Sequence, residues 1–326
     1  MAWATGDRPG ALDFRHAPSP GVAAALVAAL AGMGIAADRF AALQPAESPV
    51  GRYRADGSDG PLFLRVSSRI GQPALEQAIT GHLAAAGVPV NPILAVGALV
   101  WQGDSLRVDV RPYLAGRHFA GDPADLAAVA ATLRSCHRAL ADYPAAAQVA
   151  SEAADWNARI DDARHRLGGG DLAGLPAGWA MRRRPWLAEA MAGLAPDWHS
   201  RAGAQVVHGE LHAANVMFDA AGTAVLVDFE EATHAFAPPA WDLAYLVQRF
   251  CLADDPGRAA LEGRLDRVRA GYGPLPPLGR WMRDLAWYVV AHIASLGRSG
   301  IATPEVECEK FVRLERQGAR LEEWGL

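Results

Sequence analysis

Residues 206–231, "VVHGELHAANVMFDAAGTAVLVDFEE", decide how the rest of the chain is interpreted. An apolar pair leads into a polar loop. The segments VMFD and AVLVDF, which flank the turn AAG, then predict a β-hairpin. We expect this hairpin to gather the polar groups of Glu210, Asn215 and Asp228 at one end. The first question is therefore which chemistry a carboxylate, an amide and a second carboxylate could share there.

Phosphoryl transfer needs this combination of groups. Its catalysis consists mainly of positioning and charge neutralisation. One carboxylate must accept the proton of the attacking hydroxyl, and hard oxygen ligands must hold Mg²⁺. In protein kinases these parts are an Asp, an Asn five positions later and an Asp that follows a hairpin. Glu210 and Asn215 have that spacing, and Asp228 follows the predicted hairpin.

The bulk properties describe a globular chain that is long enough for two lobes. It has 326 residues, of which 21% are charged and 51% hydrophobic, and its formal net charge is −5. The negative charge argues against a nucleic-acid partner, for which a basic surface is expected. No signal peptide or membrane span is predicted. The three cysteines include no CxxC motif, so we expect reduced thiols and a cytoplasmic location: Cys136, Cys251 and Cys308.

The pattern along the chain changes from strands to helices. A loose arm is expected over residues 1–20. The lobe that follows, over 21–114, should hold two helices and two pairs of strands, at 22–33, 50–55, 61–67, 73–86, 93–101 and 106–114. Helical sequence then dominates residues 115–326, and Asp122 is expected to cap the first of these helices. This order predicts an α+β fold.

The residues of the loop and the hairpin carry a resemblance to a known family. The chain resembles the aminoglycoside phosphotransferase and choline kinase-like small-molecule kinases, whose loop reads H-G-D-x-H-x-x-N and whose hairpin ends in I-D-[FW]-[ED]. Here residues 208–215 read HGELHAAN and residues 227–230 read VDFE. The resemblance covers nearly the whole chain. It implies a bilobal protein-kinase-like fold and an ATP- and Mg²⁺-dependent phosphotransferase.

The resemblance also implies a role for each matched residue of the larger lobe. Glu210 takes the position of the catalytic base, and Asn215 and Asp228 take the positions of the Mg²⁺ ligands. His208 takes the place of a residue that organises the loop. Asp242, in "AWDLAYL", takes the place of an Asp that holds the catalytic loop by hydrogen bonds to its backbone. The acceptor would be a hydroxyl of a small molecule of aminoglycoside, amino alcohol or sugar type.

In the smaller lobe the resemblance implies a nucleotide site. Arg65 stands where the family has a Lys or Arg that contacts the ATP phosphates, and Glu76 on the following helix is its expected partner. Residues 111–114 take the place of the hinge that meets adenine, which makes Arg111 and Tyr113 candidate nucleotide contacts.

Three departures from the family pattern affect this interpretation. Glu replaces Asp at position 210, which moves the carboxylate by about 1.5 Å, and a misplacement of about 1 Å can lower a rate roughly 10²-fold. The loop QPAESPVGRY holds one glycine, Gly51, so we expect Ser48 or nearby amides to contact phosphate. Arg at position 65 presents a planar fork where Lys presents a point charge.

Two alternatives remain at this stage. His208, Glu210 and His212 alternate as H-x-E-x-H, which on a strand would point three metal ligands to one side. The departure at Glu210 and the glycine-poor loop are also compatible with a nucleotide-binding pseudokinase that has a regulatory or scaffolding role.

Overall fold

The computed structural model describes residues 13–68, 71–193 and 202–325. The chain divides into two compact units. The sheet unit comprises the described residues of 8–139 and 213–233, and the helical unit those of 140–212 and 234–326. Most of the predicted N-terminal arm lies outside the described residues. The predicted lobe limits, 21–114 and 115–326, stay a prediction, because each compact unit is assembled from separate segments of the chain.

The strands and helices follow the predicted order. The strands are β1 Ala37–Ala42, β2 Gly51–Gly57, β3 Gly60–Ser67, β4 Ala95–Trp101, β5 Asp104–Pro112, β6 Arg117–His118, β7 Gln205–Val206, β8 Val216–Phe218, β9 Ala224–Leu226 and β10 Phe236–Ala237. The helices are α1 Pro20–Gly32, α2 Pro73–Ala85, α3 Leu126–Leu140, α4 Ala146–Gly168, α5 Ala177–Arg182, α6 Arg184–Gly193, α7 Ala240–Leu246, α8 Arg258–Tyr272, α9 Gly279–Arg298 and α10 Glu305–Trp324.

An antiparallel five-stranded sheet, in the order β1-β2-β3-β5-β4, dominates the sheet unit. The predicted strand pairs are present, with shifts of a few residues at their ends. The turn between β4 and β5 needs two left-handed residues, which Gln102 (φ 52°) and Gly103 (φ 93°) supply. One face of the sheet packs against α1 in a core that includes Leu26, Leu30, Tyr53, Leu64 and Val108. The other face is therefore available for polar side chains.

Three further features complete the sheet unit: helix α2, the start of α3 and a small second sheet. Helix α2 buries Leu75, Ile79 and Leu83, which lie one turn apart on one face. Asp122 accepts a hydrogen bond from the Ala124 N–H at 2.8 Å, so its predicted capping role is confirmed, although a 3₁₀ turn precedes α3. A small sheet, in the order β6-β8-β9, contains the predicted hairpin.

The helical unit is built around α9, which packs against α4, α7 and α10. Helix α9 buries one apolar face that includes Met282, Trp287 and Val290. Gly318 lets α10 approach α9 closely, because a Cβ at this position would lie 2.7 Å from the Gly279 carbonyl oxygen. In the described ranges, no helix combines the length and apolar character needed to cross a bilayer.

The three cysteine thiols should be unreactive in the folded protein. Cys136, Cys251 and Cys308 are free and buried. Burial raises the pKa of the Cys251 and Cys308 thiols to about 12, and glutamates near Cys308 add to the rise. Since the thiolate is the reactive form, we expect no reaction of the native protein with a disulfide reagent at pH 8 and reaction of all three thiols in guanidinium. Rapid labelling of a native thiol would contradict this burial.

Candidate active site

The loop that follows β7 is held by a buried carboxylate. Asp242, in the first turn of α7, is fully buried. One of its oxygens accepts a hydrogen bond from the His208 N–H at 2.8 Å and the other from the Gly209 N–H at 2.9 Å. Gly209 has φ 88°, a conformation that favours glycine. The hydrogen bonds that the resemblance implies for Asp242 are therefore present, whereas its part in catalysis stays a prediction.

The shape of this loop excludes the H-x-E-x-H alternative. Strand β7 ends at Val206, so residues 208–212 do not alternate along a strand. His208 is completely buried, whereas the Glu210 side chain is half exposed. A strand that points His208, Glu210 and His212 to one side is thus wrong. Over the ranges that the structure describes, no cluster of three or more His, Cys, Asp or Glu side chains is arranged to hold a metal.

Removing the Asp242 carboxylate should loosen the loop. Asp242→Ala would leave the buried His208 N–H and the part-buried Gly209 N–H without their acceptor, at about 1–3 kcal/mol for the buried group. We expect the midpoint of thermal unfolding to fall by about 5 °C or more. Asp266→Ala is the matched control, because Asp266 is exposed on α8. An equal decrease of the unfolding midpoint in both variants would show that the buried carboxylate stabilises the protein no more than an exposed one.

Glu210 presents its carboxylate to solvent from a fixed backbone. Its N–H donates a long hydrogen bond to the His208 Nδ1 at 3.4 Å, and its Oε1 lies 4.0 Å from the His212 Nε2. Half of the side chain is exposed, so a hydroxyl group could reach the carboxylate. The peptide groups on either side of His208 are fixed by Asp242, which limits where the carboxylate can move.

The hairpin brings the two predicted metal ligands to its open end. Val216 pairs with Leu226, and the Val227 N–H donates to the Asn215 carbonyl oxygen at 3.0 Å. Asn215 and Asp228 therefore flank the same end, as the sequence predicts. Asp228 has φ 62°, which is costly for a residue other than glycine and marks functional sites. Glu210 belongs to the helical unit, so its convergence with these two residues stays a prediction.

Arg65 lies beside Asp228 in the sheet unit. Its guanidinium donates to the Asp228 Oδ1 at 3.1 Å and to the Glu230 Oε2 at 2.7 Å. Burial would lower the pKa of Arg65, but the two carboxylates outweigh burial and raise this pKa above its ordinary value. Glu230 occupies the last position of the matched VDFE motif, although its pairing with Arg65 was not predicted from the sequence.

Glu76, the expected partner of Arg65, bonds two other arginines instead, although its charge contributes to the raised pKa of Arg65. Glu76 is buried on α2, and its two oxygens accept hydrogen bonds from Arg107 at 2.7 Å and from Arg111 at 2.5 Å. Arg107 and Arg111 lie four residues apart on β5, so both side chains project from the same face of the sheet. Both oxygens of the Glu76 carboxylate are therefore already hydrogen-bonded to these two arginines. Arg107 also donates a hydrogen bond to Asp109 at 2.6 Å.

The predicted hinge, residues 111–114, follows the point at which β5 stops pairing with β4. The Arg111 guanidinium is occupied by Glu76 and by the Asn91 carbonyl oxygen, and the Tyr113 N–H donates to the Pro61 carbonyl oxygen. Pairing with β4 ends at Val110. By the alternation of strand hydrogen bonds, the Pro112 C=O then faces away from β3. An adenine contact through the backbone of residues 111–114 stays a prediction.

The loop that is expected to cover phosphate is fixed by a buried tyrosine. The Tyr53 hydroxyl donates to the Pro49 carbonyl oxygen at 2.9 Å, and the Ser48 Oγ accepts from the Val50 N–H at 3.4 Å. Ser48 itself is exposed. A phosphate contact at Ser48 stays a prediction.

A half-exposed cluster of aromatic and imidazole rings lies in the helical unit. The Trp156 ring lies 4.2 Å from the His234 ring and 5.0 Å from the His292 ring, and its Nε1 donates to the Tyr288 hydroxyl at 3.1 Å. The Val207 N–H donates to the Ala235 carbonyl oxygen. Strand pairing therefore places His234 beside the start of the Glu210 loop.

Comparisons with known proteins place the chain in a family. The model of the phosphotransferase enzyme family matches residues 43–278, more than half of the chain. No curated protein sequence matches it significantly.

Solved structures of several kinases have a similar fold. A thermostable mutant of aminoglycoside phosphotransferase APH(4)-Ia, in ternary complex with ADP and hygromycin B, is 17% identical, with a TM-score of 0.56 over 87% of this chain and 96% of that chain. Aminoglycoside-3'-phosphotransferase of type VIII is 23% identical, with a TM-score of 0.53 over 83% and 99%. Choline kinase LicA from Streptococcus pneumoniae is 11% identical, with a TM-score of 0.51 over 90% and 95%.

The predicted family, fold class and enzyme class are confirmed by these matches. The structural likeness shows a protein-kinase-like fold, and the family match shows a phosphotransferase. The chain belongs to the phosphotransferase enzyme family.

Proposed function

We propose that the protein is an ATP- and Mg²⁺-dependent phosphotransferase that phosphorylates a hydroxyl of a small molecule. The observation that carries this proposal is the hairpin register, which sets Asn215 and Asp228 at one end beside Arg65. An amide oxygen and a carboxylate are the hard donors that Mg²⁺ prefers, so these residues fit the ion. When bound, Mg²⁺ would neutralise phosphate charge.

The residues that the sequence and the family indicate have separate roles in the proposal. Arg65 binds and orients phosphate oxygens, for which its planar fork is suited. Glu210 orients the acceptor hydroxyl and takes its proton, because a carboxylate within hydrogen-bond reach can act as general base. Asp242 and His208 fix the loop that carries Glu210. The proposed adenine contacts are backbone groups of residues 111–114.

The aromatic cluster supports a small acceptor of aminoglycoside, amino alcohol or sugar type. Trp156, His234, Tyr288 and His292 offer half-exposed ring faces and polar ring edges. Such groups can stack on the apolar face of a ring and hydrogen-bond its hydroxyls. The named neighbours bind hygromycin B or are kinases of choline and aminoglycosides, which fits this class. We place the reaction in the cytoplasm, which suits three free thiols.

A nucleotide-binding pseudokinase is the second candidate. It is favoured by the ion pair of Arg65 with Asp228, which occupies a carboxylate that the metal would need. Under this alternative the pair would persist and Glu210 would transfer nothing.

Transfer of labelled phosphate separates the two functions. The protein is incubated with γ-³²P-ATP, with and without Mg²⁺, across a panel of aminoglycosides, amino alcohols and sugars. The proposal predicts Mg²⁺-dependent label on at least one acceptor, and loss of that label in Glu210→Gln. ATP binding by calorimetry with no transfer to any acceptor would instead support the pseudokinase.

A further inference from the structure

A second arginine stands directly opposite Arg65 in the sheet. Arg52 on β2 pairs in register with Arg65 on β3. Directly opposed residues of an antiparallel pair project from the same face. The neighbouring pair, Tyr53 and Leu64, is buried in the core with α1. Arg52 and Arg65 therefore project from the opposite face of the sheet, where Asp228 and Glu230 meet Arg65.

Arg52 has no anion of its own. In the part of the chain that the structure describes, its guanidinium makes no hydrogen bond or ion pair, although the side chain is half-buried. Arg65, Arg107 and Arg111 each bond at least one carboxylate. Burial lowers the pKa of Arg52, and repulsion from Arg65 lowers it further, while attraction to Asp228 offsets part of this effect.

This arrangement destabilises the protein without a ligand. A half-buried cation that lacks a partner loses hydration without gaining hydrogen bonds, and like charges directly opposite in a sheet repel. An incoming polyanion would supply both the missing acceptor and the missing negative charge. Local destabilisation of this kind is expected where a protein is adapted to bind rather than to be stable.

A buried imidazole near Arg52 has an unused polar atom as well. The Nδ1 of His118 on β6 is buried and has no hydrogen-bond partner among the described residues. Burial lowers the pKa of His118, an interaction with the Val216 backbone offsets part of this decrease, and the charge of Arg52 adds to it. The Arg52 guanidinium and the His118 Nδ1 are therefore two polar groups of the sheet unit without a hydrogen-bond partner among the described residues.

We propose that Arg52 and Arg65 together form a two-cation site for the phosphate chain of a polyphosphate ligand such as a nucleoside triphosphate. The identity of that ligand rests on the proposed function. The loop that precedes β2 has few glycines, so it offers few freely oriented amides for phosphate. Arg52, the second residue of β2, supplies five N–H donors in its place.

Calorimetric titrations with three ligands test this site. Inorganic tripolyphosphate, ATP and AMP are titrated into wild type, Arg52→Met and Arg52→Lys. Methionine keeps most of the volume of the side chain without its charge. Arg39→Met is the matched control, because Arg39 is an exposed arginine on β1 of the same sheet.

Arg52→Met should weaken tripolyphosphate and ATP binding by about 10- to 100-fold, the range for lost charge-assisted hydrogen bonds. AMP binding should change by less than about twofold, since a monophosphate does not need both cations. Arg52→Lys should recover part of the loss, and Arg39→Met should bind like wild type. Without ligand, Arg52→Met should unfold at a higher temperature than wild type, since the repulsion is gone.

The outcomes separate this site from the proposed function. Unchanged ATP and tripolyphosphate binding in Arg52→Met, or an equal loss for AMP, would overturn the two-cation site and leave the phosphotransferase proposal standing. If wild type binds tripolyphosphate but not ATP, and Arg52→Met loses the tripolyphosphate binding, the two-cation site is supported. The assignment of a nucleotide as its ligand is then overturned. Binding of neither ligand by wild type would overturn both.

Discussion

Asp228→Ala is expected to lower kcat/KM for phosphate transfer at least about 10³-fold, which corresponds to about 4 kcal/mol. The proposed site has one amide and one carboxylate ligand for Mg²⁺, and this variant removes the carboxylate. Neutralisation of phosphate charge by a held metal accounts for several kcal/mol of transition-state stabilisation. Nucleotide affinity should also lose its dependence on Mg²⁺. Steady-state kinetics and titration of ATP with and without Mg²⁺ measure both effects.

Asp59→Ala is the matched control for Asp228→Ala. Asp59 is an exposed aspartate in the turn between β2 and β3 of the same unit, so the change in charge is identical. It should retain wild-type kinetics. If Asp228→Ala keeps Mg²⁺-dependent affinity, then the ion pair with Arg65 is the whole role of Asp228, and the metal assignment is wrong.

Glu210→Gln is expected to lower kcat by about 10²- to 10⁴-fold, the usual contribution of a positioned general base. Glutamine keeps the size of the side chain but cannot take the proton of the acceptor. ATP affinity should be unchanged, because the proposed phosphate and metal contacts come from other residues. Glu189→Gln, at an exposed site on α6, makes the same change of charge and should be neutral.

Glu210→Asp tests the departure from the family pattern. Asp242 fixes the peptide groups before Glu210, so the backbone is the element that must accommodate the longer side chain. A lower rate in Glu210→Asp would show that the backbone is adapted to Glu. A higher rate would show that the native carboxylate lies off its best position. A rate in Glu210→Gln equal to that of wild type would remove Glu210 from catalysis altogether.

Much of the fold could be predicted because its turns are determined by residues that are neighbours in sequence. The hairpin of β8 and β9 follows from two apolar segments around a short turn that contains a glycine, and the pair β4 and β5 from the turn at Gln102 and Gly103. Asp228 and Asn215 could be predicted to share an end of the hairpin for the same reason. Such features depend on neighbours in sequence, so the periodicity of apolar residues predicts them well.

The ion pairs of the candidate site could not be predicted in this way. Glu76 was assigned to Arg65, but β5 presents Arg107 and Arg111 to it instead. That choice depends on how α2 packs across the sheet, which no local pattern encodes. Arg52 is a different case, because counting back from the turn between β2 and β3 places it opposite Arg65. That the Arg52 guanidinium has no partner among the described residues could be recognised only from the structure.

Asn215 and Asp228, at the open end of one hairpin, are proposed to hold the metal of a bound nucleotide. Titration of Mn²⁺ in the presence of ATP, followed by electron paramagnetic resonance, tests this role in wild type, Asn215→Ala, Asp228→Ala and the double variant. We expect each single variant to weaken ATP-dependent Mn²⁺ binding strongly and the double variant to be little worse, since the effects of residues that share one ion are not additive. Wild-type Mn²⁺ affinity in either single variant, or fully additive losses in the double variant, would contradict it.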